Sequence, residues 1–182
     1  MTSIYRTAYP RFNPNQKLRG KELEADYSLT STELGYIKEN IRGDNLRLGF
    51  AVLLKVFQRM GYFPEIKLIP EAAINYIRGQ ITFIKSSTEF LYKHESSFNR
   101  HRRRVYEYLK IRRYDKDIRI HAIKVAYDTS QIMNFPADII NVVIEDLKKN
   151  KFELPAFNQL SRLVKHARFM VNNKIFKNIY HQ

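Results

Sequence analysis

The fold of this chain is decided by residues 42–64, which read RGDNLRLGFAVLLKVFQRMGYFP. Gly43 breaks the preceding helical pattern, and Asp44 or Asn45 can accept hydrogen bonds from the first free backbone N–H groups of a new helix. The predicted helix, 44–60, is apolar on nearly all sides, and a glycine and a proline follow it. Such a helix has to be surrounded by others, so this stretch predicts the central helix of a bundle.

Helical periodicity dominates the rest of the chain, and strand-like alternation is nearly absent. The run Thr30-Ser31-Thr32-Glu33 matches a capping box, in which the first and fourth side chains bond each other's backbone N–H groups. The helices predicted in this way cover about 30–41, 44–60, 70–78, 86–91, 97–110, 115–134, 136–150 and 155–179. The predicted fold class is all-α, with multiple helices in two packed modules.

The predicted domain boundaries follow changes in composition. Residues 1–27 are polar, carry prolines and are expected to form an extended N-terminal arm. Residues 28–112 are expected to form a first helical, DNA-binding module, and residues 113–182 a second module with a helix-turn-helix-like pair. The last helix has no capping residue, which suggests that the chain was cut from a longer protein.

Charge is the strongest compositional signal. The chain carries 32 Lys+Arg against 18 Asp+Glu, a net charge of +14. This excess favours an anionic partner, with nucleic acid first and an anionic membrane surface second, although a basic, AT-rich proteome would give the same bias. The absence of cysteine excludes disulfides, thiol nucleophiles and cysteine-based zinc sites. No apolar run is long enough to span a membrane and no secretion signal is present, so we expect a cytoplasmic protein.

The segment 97–119 concentrates one set of cations. Between Arg100 and Arg119 there are nine Lys/Arg and three acids. Cations along one helix face can neutralise phosphates and release counterions, whereas the alternative is a solvated face with internal pairs such as Arg103 with Glu107. The predicted contacts with DNA in and near this segment are Arg100, Arg102, Arg103, Arg104, Lys110, Arg112 and Arg113. Of these, Arg100, Arg103 and Lys110 point away from the apolar face of the helix, whereas Arg102 and Arg104 lie on its flanks. At the start of the central helix, Arg42 and Arg47 are the only candidates.

The last helix has one apolar and one polar face. Its apolar stripe comprises Phe157, Leu160, Val164, Ala167, Val171, Ile175 and Ile179. Asn, Gln and Arg side chains can make paired hydrogen bonds to base edges in the major groove of DNA. The predicted base-reading residues on and beside the polar face are Asn158, Gln159, Arg162, Lys165, His166 and Arg168. Phe169 also falls on this face, which places it either under a neighbouring element or at a partner surface.

The last two predicted helices are joined by the short segment Lys151-Phe152-Glu153-Leu154-Pro155. A helix, a turn and a second helix with a polar outer face fit a helix-turn-helix, whose second helix reads DNA. An ordinary pair of antiparallel helices has the same pattern. The sequence therefore predicts a helix-turn-helix-like pair but leaves that alternative open.

Three motifs, in order, resemble a known family. The first is Arg-x-Asp-x-x-Arg-Leu-Gly-Phe-Ala at 42–51 with its Gly-x-Phe-Pro exit at 61–64. The second is Pro70 followed by Tyr-Ile-x-x-Gln-Ile at 76–81, and the third is Leu-Lys at 147–148 followed by Leu-Pro-Ala at 154–156. Together they resemble the N-terminal region of replicative transposases of the Tn-three family, from about Leu34 to the chain end.

In that family the N-terminal region binds the terminal inverted repeats of the transposon, and a far larger C-terminal region holds an acidic triad that coordinates metal. The resemblance implies that this chain is the non-catalytic recognition part of a bacterial, nucleoid-associated enzyme. Its expected partners are double-stranded DNA of the transposon ends and the remainder of the transposase, with no membrane and no small-molecule ligand. Lys and Tyr stand where the family has many Arg and Ala, so individual base contacts are not transferred.

No catalytic or metal-ligating residue is expected within the chain, and no cofactor. A metal-dependent nuclease needs two or three converging carboxylates, but Asp115, Asp117, Asp138 and Glu145 sit near predicted helix starts or on helix surfaces, where capping explains them. The divalent metal is expected only in the missing catalytic region. The alternative function is a basic helical module that binds RNA or an acidic protein without sequence-specific recognition of DNA.

Overall fold

The computed structural model of the protein describes residues 3–13 and 18–180, with side chains as far as Lys174. Within these ranges the fold consists of α-helices and two single 3-10 turns, Ile4–Arg6 and Ile66–Leu68, and contains no β-strand. The helices are α1 (Gly20–Tyr27), α2 (Ser31–Asn40), α3 (Asp44–Met60), α4 (Glu71–Gln80), α5 (Glu95–Leu109), α6 (Lys116–Ser130), α7 (Pro136–Lys149) and α8 (Phe157–Tyr180). The all-α prediction is confirmed.

The chain divides into two compact units, which we call the 10–110 unit and the C-terminal unit. The first comprises the described residues of Pro10–Lys110, and the second joins residues 111–180 to the N-terminal residues 3–9. Residues 1–27 were expected to be an extended arm, but 3–9 and 20–27 are built into different units. The reason is aromatic burial: Tyr9 and Tyr27 are both inside the protein, and α1 ends at Tyr27.

The central helix predicted from residues 44–60 is α3, with the same limits. Its residues from Leu48 to Phe57 are all buried, and it packs against α1, α2, α4 and α5. Its two ends depend on glycine. Gly43 precedes the helix with a φ of 88° and Gly61 closes it with a φ of 74°, a region that other residues rarely adopt. The predicted capping by Asp44 or Asn45 was wrong, because Gly43 occupies the N-cap position and no side chain caps α3.

A buried ion pair joins α2 to α3. Thr30 and Glu33 form the predicted capping box, with Glu33 Oε2 accepting the Thr30 N–H at 2.8 Å and Thr30 accepting the Glu33 N–H at 3.2 Å. The same carboxylate lies 3.4 Å from Lys55 Nζ and accepts a 2.7 Å hydrogen bond from Gln58 Nε2. Both Glu33 and Lys55 are buried, so each charge depends on the other for compensation.

A second buried polar contact explains why residues 86–91 are not a helix. The helix predicted at 86–91 was wrong, because residues 81–94 form an irregular segment. The segment inserts Tyr92 beside α3, where a Cβ on Gly49 would come within 2.7 Å of the tyrosine hydroxyl. The hydroxyl lies 2.6 Å from Nδ1 of His101 on α5, which is buried. A helix of one or two turns offers too few hydrogen bonds to compete with this burial.

We expect the burial of His101 to make the 10–110 unit sensitive to acid. Burial, followed by the charges of Arg100 and Arg104, lowers the pKa of His101 from 6.5 to about 4. The folded state therefore prefers the neutral form of His101. The contribution of this form to the free energy of unfolding is complete above pH 6.5 and is lost as the pH falls toward 4. By pH 5 the free energy of unfolding should fall by about 2 kcal/mol from this group alone. Urea titrations of the wild type and His101→Gln at pH 7.5 and 5.0 would measure it.

Comparing the variant with the wild type separates the effect of His101 on the free energy of unfolding from the effects of acidic groups that titrate in both proteins. His101→Gln should show a smaller loss of unfolding free energy between the two pH values than the wild type. His166→Asn, which changes an exposed histidine, should lose as much as the wild type. Equal pH dependence of His101→Gln and the wild type would contradict the assignment.

The C-terminal unit is a three-helix assembly in which α6, α7 and α8 each contact the other two. Its core includes Ile118, Ile140, Ile144, Leu160 and Val164. Asp115 caps α6 by accepting the Ile118 N–H, as predicted for one of two candidate aspartates, and Pro136 opens α7.

Residues 3–9 contact both α7 and the segment that connects α7 to α8. The Ala8 N–H donates to Asn141 Oδ1 at 2.7 Å, and the Tyr9 hydroxyl donates to the Pro155 carbonyl at 2.9 Å. The Tyr9 ring packs edge-on against Phe157, the first residue of α8, with centroids 5.4 Å apart. The start of α8 is therefore held by chain that lies about 150 residues earlier in the sequence.

Candidate nucleic-acid interface

The outer face of α8 is the strongest candidate for a binding surface. The helix forms because apolar residues recur every three or four positions: Leu160, Val164, Ala167 and Val171 are buried. The predicted stripe residues Ile175 and Ile179 lie beyond the described side chains. Exposed side chains recur with the same period on the opposite side, and this outer face comprises Asn158, Gln159, Arg162, Lys165, His166, Phe169, Asn172 and Asn173.

All but one of the six predicted base-reading residues are exposed on this face. Arg168 differs, since it lies at the margin and is half-buried. The arrangement is cationic, because α8 has five Lys/Arg and no Asp or Glu between Phe157 and Tyr180. The helix therefore has no negatively charged side chain of its own that would repel a phosphate. Its amide, guanidinium and imidazole groups can donate hydrogen bonds to base edges or to the backbone of a nucleic acid.

The connection between α7 and α8 is more ordered than a simple turn. Arg112 and Phe152 form an isolated bridge, in which the Arg112 N–H donates to Lys151 O and the Glu153 N–H donates to Arg112 O. The Glu153 carboxylate accepts the Tyr114 N–H at 3.1 Å. The connection thus runs over 150–156 and is tied both to 111–115 and to Tyr9. The helix pair is present, and its assignment as a DNA-reading helix-turn-helix stays a prediction.

Arg112 differs from its neighbour Arg113 in its partners. Its guanidinium lies 2.9 Å from Asp115 Oδ2 and 3.1 Å from Asp117 Oδ2, and these contacts raise the pKa of Arg112. The hydrogen bond from the Ile118 N–H, followed by that from Arg112, lowers the pKa of Asp115. Two carboxylates already compensate this cation, so it attracts phosphate less than its position in the sequence indicates. Arg113 is exposed, and it is the better candidate of the two.

The arginines of α5 and the lysine at its C-cap, Lys110, fall into two groups. Arg100, Arg103 and Lys110 are exposed, as the periodicity predicts, and Arg103 has only a 3.7 Å contact with the exposed Glu107. These three define the α5 outer face. They can approach an anion at the cost of no contact except the loose one between Arg103 and Glu107, which suits them to bind phosphate.

The other two arginines of α5 have partners within the fold. Arg102 lies over the ring of Phe63 at 5.0 Å and over that of Phe98 at 5.7 Å. Arg104 donates a 2.8 Å hydrogen bond to the carbonyl of Asn40, at the end of α2. Both are half-buried. Their packing gives them a structural role that the sequence pattern did not separate from DNA contact.

The two candidates near the start of α3 also differ. Arg47 donates to the Ile41 carbonyl at 3.0 Å, pairs with Asp44 at 3.7 Å and lies 5.4 Å over the ring of Phe83. It therefore fastens the turn between α2 and α3. Arg42 is exposed in that turn and remains a candidate for contact with phosphate.

Neither a metal site nor a membrane span is found within the part of the chain that the structure describes. There, no group of three or more His, Asp or Glu residues is arranged to hold a metal ion. His121 instead pairs with Asp146 at 2.5 Å between α6 and α7. Over the same residues, no helix combines the length and the apolar character needed to cross a membrane.

Two comparisons with known proteins bear on this surface. The sequence profile of a family described as "Domain of unknown function (DUF4158)" matches residues 1–167. A transposase for transposon Tn1546 from Enterococcus faecium is 30% identical to the chain over 161 residues, which are 84% of this chain. The aligned region is 16% of the transposase, so the chain spans about one sixth of the curated relative that it matches.

Proposed function

We propose, on the premise that this chain belongs to the DUF4158 family and is related to transposases, that it recognises the DNA at the ends of a transposon. In this proposal it binds the terminal inverted repeats as the N-terminal recognition region of a replicative transposase of the Tn-three family. Its place of action is the nucleoid DNA of the bacterial cytoplasm. The remainder of the transposase carries the chemistry, and this region is non-catalytic.

The observation that carries the proposal is the outer face of α8. Eight exposed positions along one face of the helix present amide, guanidinium, ammonium, imidazole and phenyl groups, and the helix has no acid to oppose a phosphate. The opposite side of α8 is buried, so the helix already has its place in the unit and its outer face is left for a partner. Presenting a rigid helix with hydrogen-bonding side chains is the common way to read the major groove.

The α5 outer face has a different role in this proposal. Arg100, Arg103 and Lys110 bind phosphates of the same DNA, which adds affinity without adding sequence information. The net charge of +14 supports this division, because steering by charge acts on any duplex. Sequence discrimination then depends on α8.

The divalent metal that strand cleavage requires belongs, in this proposal, to the catalytic region outside these 182 residues. The residues that the structure describes do not fit such a site. Over the described ranges, no three carboxylate or imidazole groups converge, and the aspartates at 115 and 117 are paired with Arg112.

The proposal is tested by fluorescence-anisotropy titration of the 182-residue chain at physiological salt. One labelled duplex carries a terminal repeat of the element that encodes the chain, and the control duplex carries the same bases in scrambled order. We expect the terminal repeat to bind at least a hundredfold more tightly. Equal affinities would show that the chain does not recognise the ends. A preference for structured RNA over both duplexes would favour the alternative function.

Replacing Arg103 with alanine should weaken binding to every duplex alike. Loss of one phosphate contact is expected to flatten the slope of log K against log salt by about one unit. Because Arg103 is exposed and its contact with Glu107 is loose, the variant should unfold at the wild-type temperature. Titrations on both duplexes between about 50 and 200 mM salt measure the slope.

The matched control for this prediction is Arg112→Ala. It removes an arginine whose charge two aspartates already compensate, so the salt slope should stay close to that of the wild type. An unchanged slope for Arg103→Ala, or an effect confined to the terminal-repeat duplex, would exclude a phosphate contact at Arg103.

A further inference from the structure

Phe169 is the unexplained residue of the α8 outer face. Its side chain is 61% exposed, although it lies in the middle of a well-packed helix. The sequence left two explanations open, burial under a neighbouring element or contact with a partner. Its exposure excludes the first for the part of the C-terminal unit that the structure describes.

The core of the unit does not need this ring. The buried side of α8 is filled by Leu160, Val164, Ala167 and Val171, which lie on the opposite side of the helix. A phenyl ring removes about 150–250 Å² of surface from water when it is buried. For an exposed phenylalanine, this stabilisation is obtained only when a partner covers the ring. The position therefore fits a surface that is covered in a complex.

The neighbours of Phe169 indicate the chemistry of that partner. On one helix face, residues three, four and seven apart are adjacent. Phe169 thus stands next to His166 and Lys165, Arg162 lies one turn further back on the same face, and Asn172 and Asn173 follow Phe169 one turn later. Since α8 contains no acidic residue, the charge around the ring complements a polyanion.

One apolar group is available to such a ring on the base edges of the major groove. Thymine presents a C5-methyl group there, and phenylalanine is one of the side chains that contact it, whereas Arg and Asn pair with guanine and adenine. A phenyl ring among hydrogen-bonding side chains would therefore add an apolar contact that they do not make, to the methyl group of thymine.

We propose that Phe169 is a specificity-determining residue that reads a thymine through contact with its C5-methyl group. This inference rests on the proposed function. The helical rise separates Phe169 from Arg162 by roughly 10 Å along the axis, which is about the height of three base pairs. With α8 lying along the major groove, the thymine should therefore lie within about three base pairs of the base that Arg162 contacts.

The test replaces thymines of the terminal-repeat duplex, one at a time, by deoxyuridine, which removes only the methyl group. For the wild-type chain, we expect one thymine whose replacement weakens binding about threefold to tenfold, with little effect elsewhere. Phe169→Ala should weaken binding to the unmodified repeat by at least the same factor, because it removes the whole ring and not only its contact with the methyl group. For this variant, the same deoxyuridine replacement should have no further effect, because the contact is already lost.

Two controls separate this contact from other effects. Phe169→Leu keeps an apolar side chain and should retain part of the sensitivity to deoxyuridine. Phe169→Ala should unfold at the wild-type temperature, because the ring is exposed. Binding of Phe169→Ala that falls equally for thymine and deoxyuridine duplexes, or does not fall at all, would overturn the inference. So would a wild type insensitive to every replacement.

These results are distinguishable from failure of the proposed function. If the wild type prefers the terminal repeat to the scrambled duplex but no thymine is sensitive, only the role of Phe169 is wrong. If the wild type binds both duplexes equally, the proposed function and the inference fail together.

Discussion

Replacing Glu33 with alanine is expected to lower the free energy of unfolding of the 10–110 unit by about 3–5 kcal/mol. The change leaves the ammonium group of Lys55 buried without its carboxylate, at a position where the side chain is only 10% exposed. It also removes the acceptor of the Thr30 N–H, so that the first turn of α2 loses its capping box. Urea titration followed by circular dichroism would measure the loss.

Two further variants show whether the uncompensated charge is the cause. Glu39→Ala changes an exposed glutamate of the same helix and should alter stability by less than about 0.5 kcal/mol. Adding Lys55→Met to Glu33→Ala removes the isolated charge, so the double variant should be more stable than Glu33→Ala alone. A double variant less stable than Glu33→Ala would show that the uncompensated charge of Lys55 is not the cause of the loss of stability.

Replacing Arg162 with alanine is expected to have the largest effect on sequence discrimination. The guanidinium lies at the centre of the α8 outer face, exposed and one turn ahead of Lys165 and His166. If it pairs with a guanine, its loss reduces the preference for the terminal repeat by about 1–3 kcal/mol, whereas binding to the scrambled duplex changes little. Anisotropy titrations of both duplexes at one salt concentration give the ratio directly.

Arg162→Lys is the matched variant for this experiment. Lysine keeps the charge but loses the planar fork that pairs with two acceptors at once. It should therefore keep the salt slope of the wild type and still lose most of the discrimination. Equal loss of affinity for both duplexes in Arg162→Ala would place this arginine on a phosphate rather than on a base.

Much of the helical framework could be predicted because its causes are local. The Thr30–Glu33 capping box, the cap at Asp115 and Pro136 at the start of α7 are each set within a few residues of sequence. The apolar run of α3 gave both its limits and its central position, because a helix without a polar face has to be covered on all sides. The helix predicted at 86–91 was wrong because a distant group, His101, holds that segment in another form.

The candidate site could be predicted only in part. Periodicity separated the exposed Arg100, Arg103 and Lys110 from the residues on their flanks, and it gave the polar face of α8. It could not show that Arg47, Arg102, Arg104 and Arg112 have partners inside the fold. Those partners lie on other elements or depend on the path of a loop, and a count of basic residues treats all arginines alike.

The sequence by itself determined that the protein is all-α, where most helices begin and end, and which faces of α3 and α8 are apolar. These properties depend on backbone hydrogen bonding and on helical repeats, which act over three or four residues. Only the tertiary structure decided that residues 3–9 hold the start of α8, that Arg104 donates to the Asn40 carbonyl, and that Phe169 stays uncovered. Those outcomes depend on packing between residues far apart in the chain, which no local pattern of residues 42–64 or of any other segment specifies.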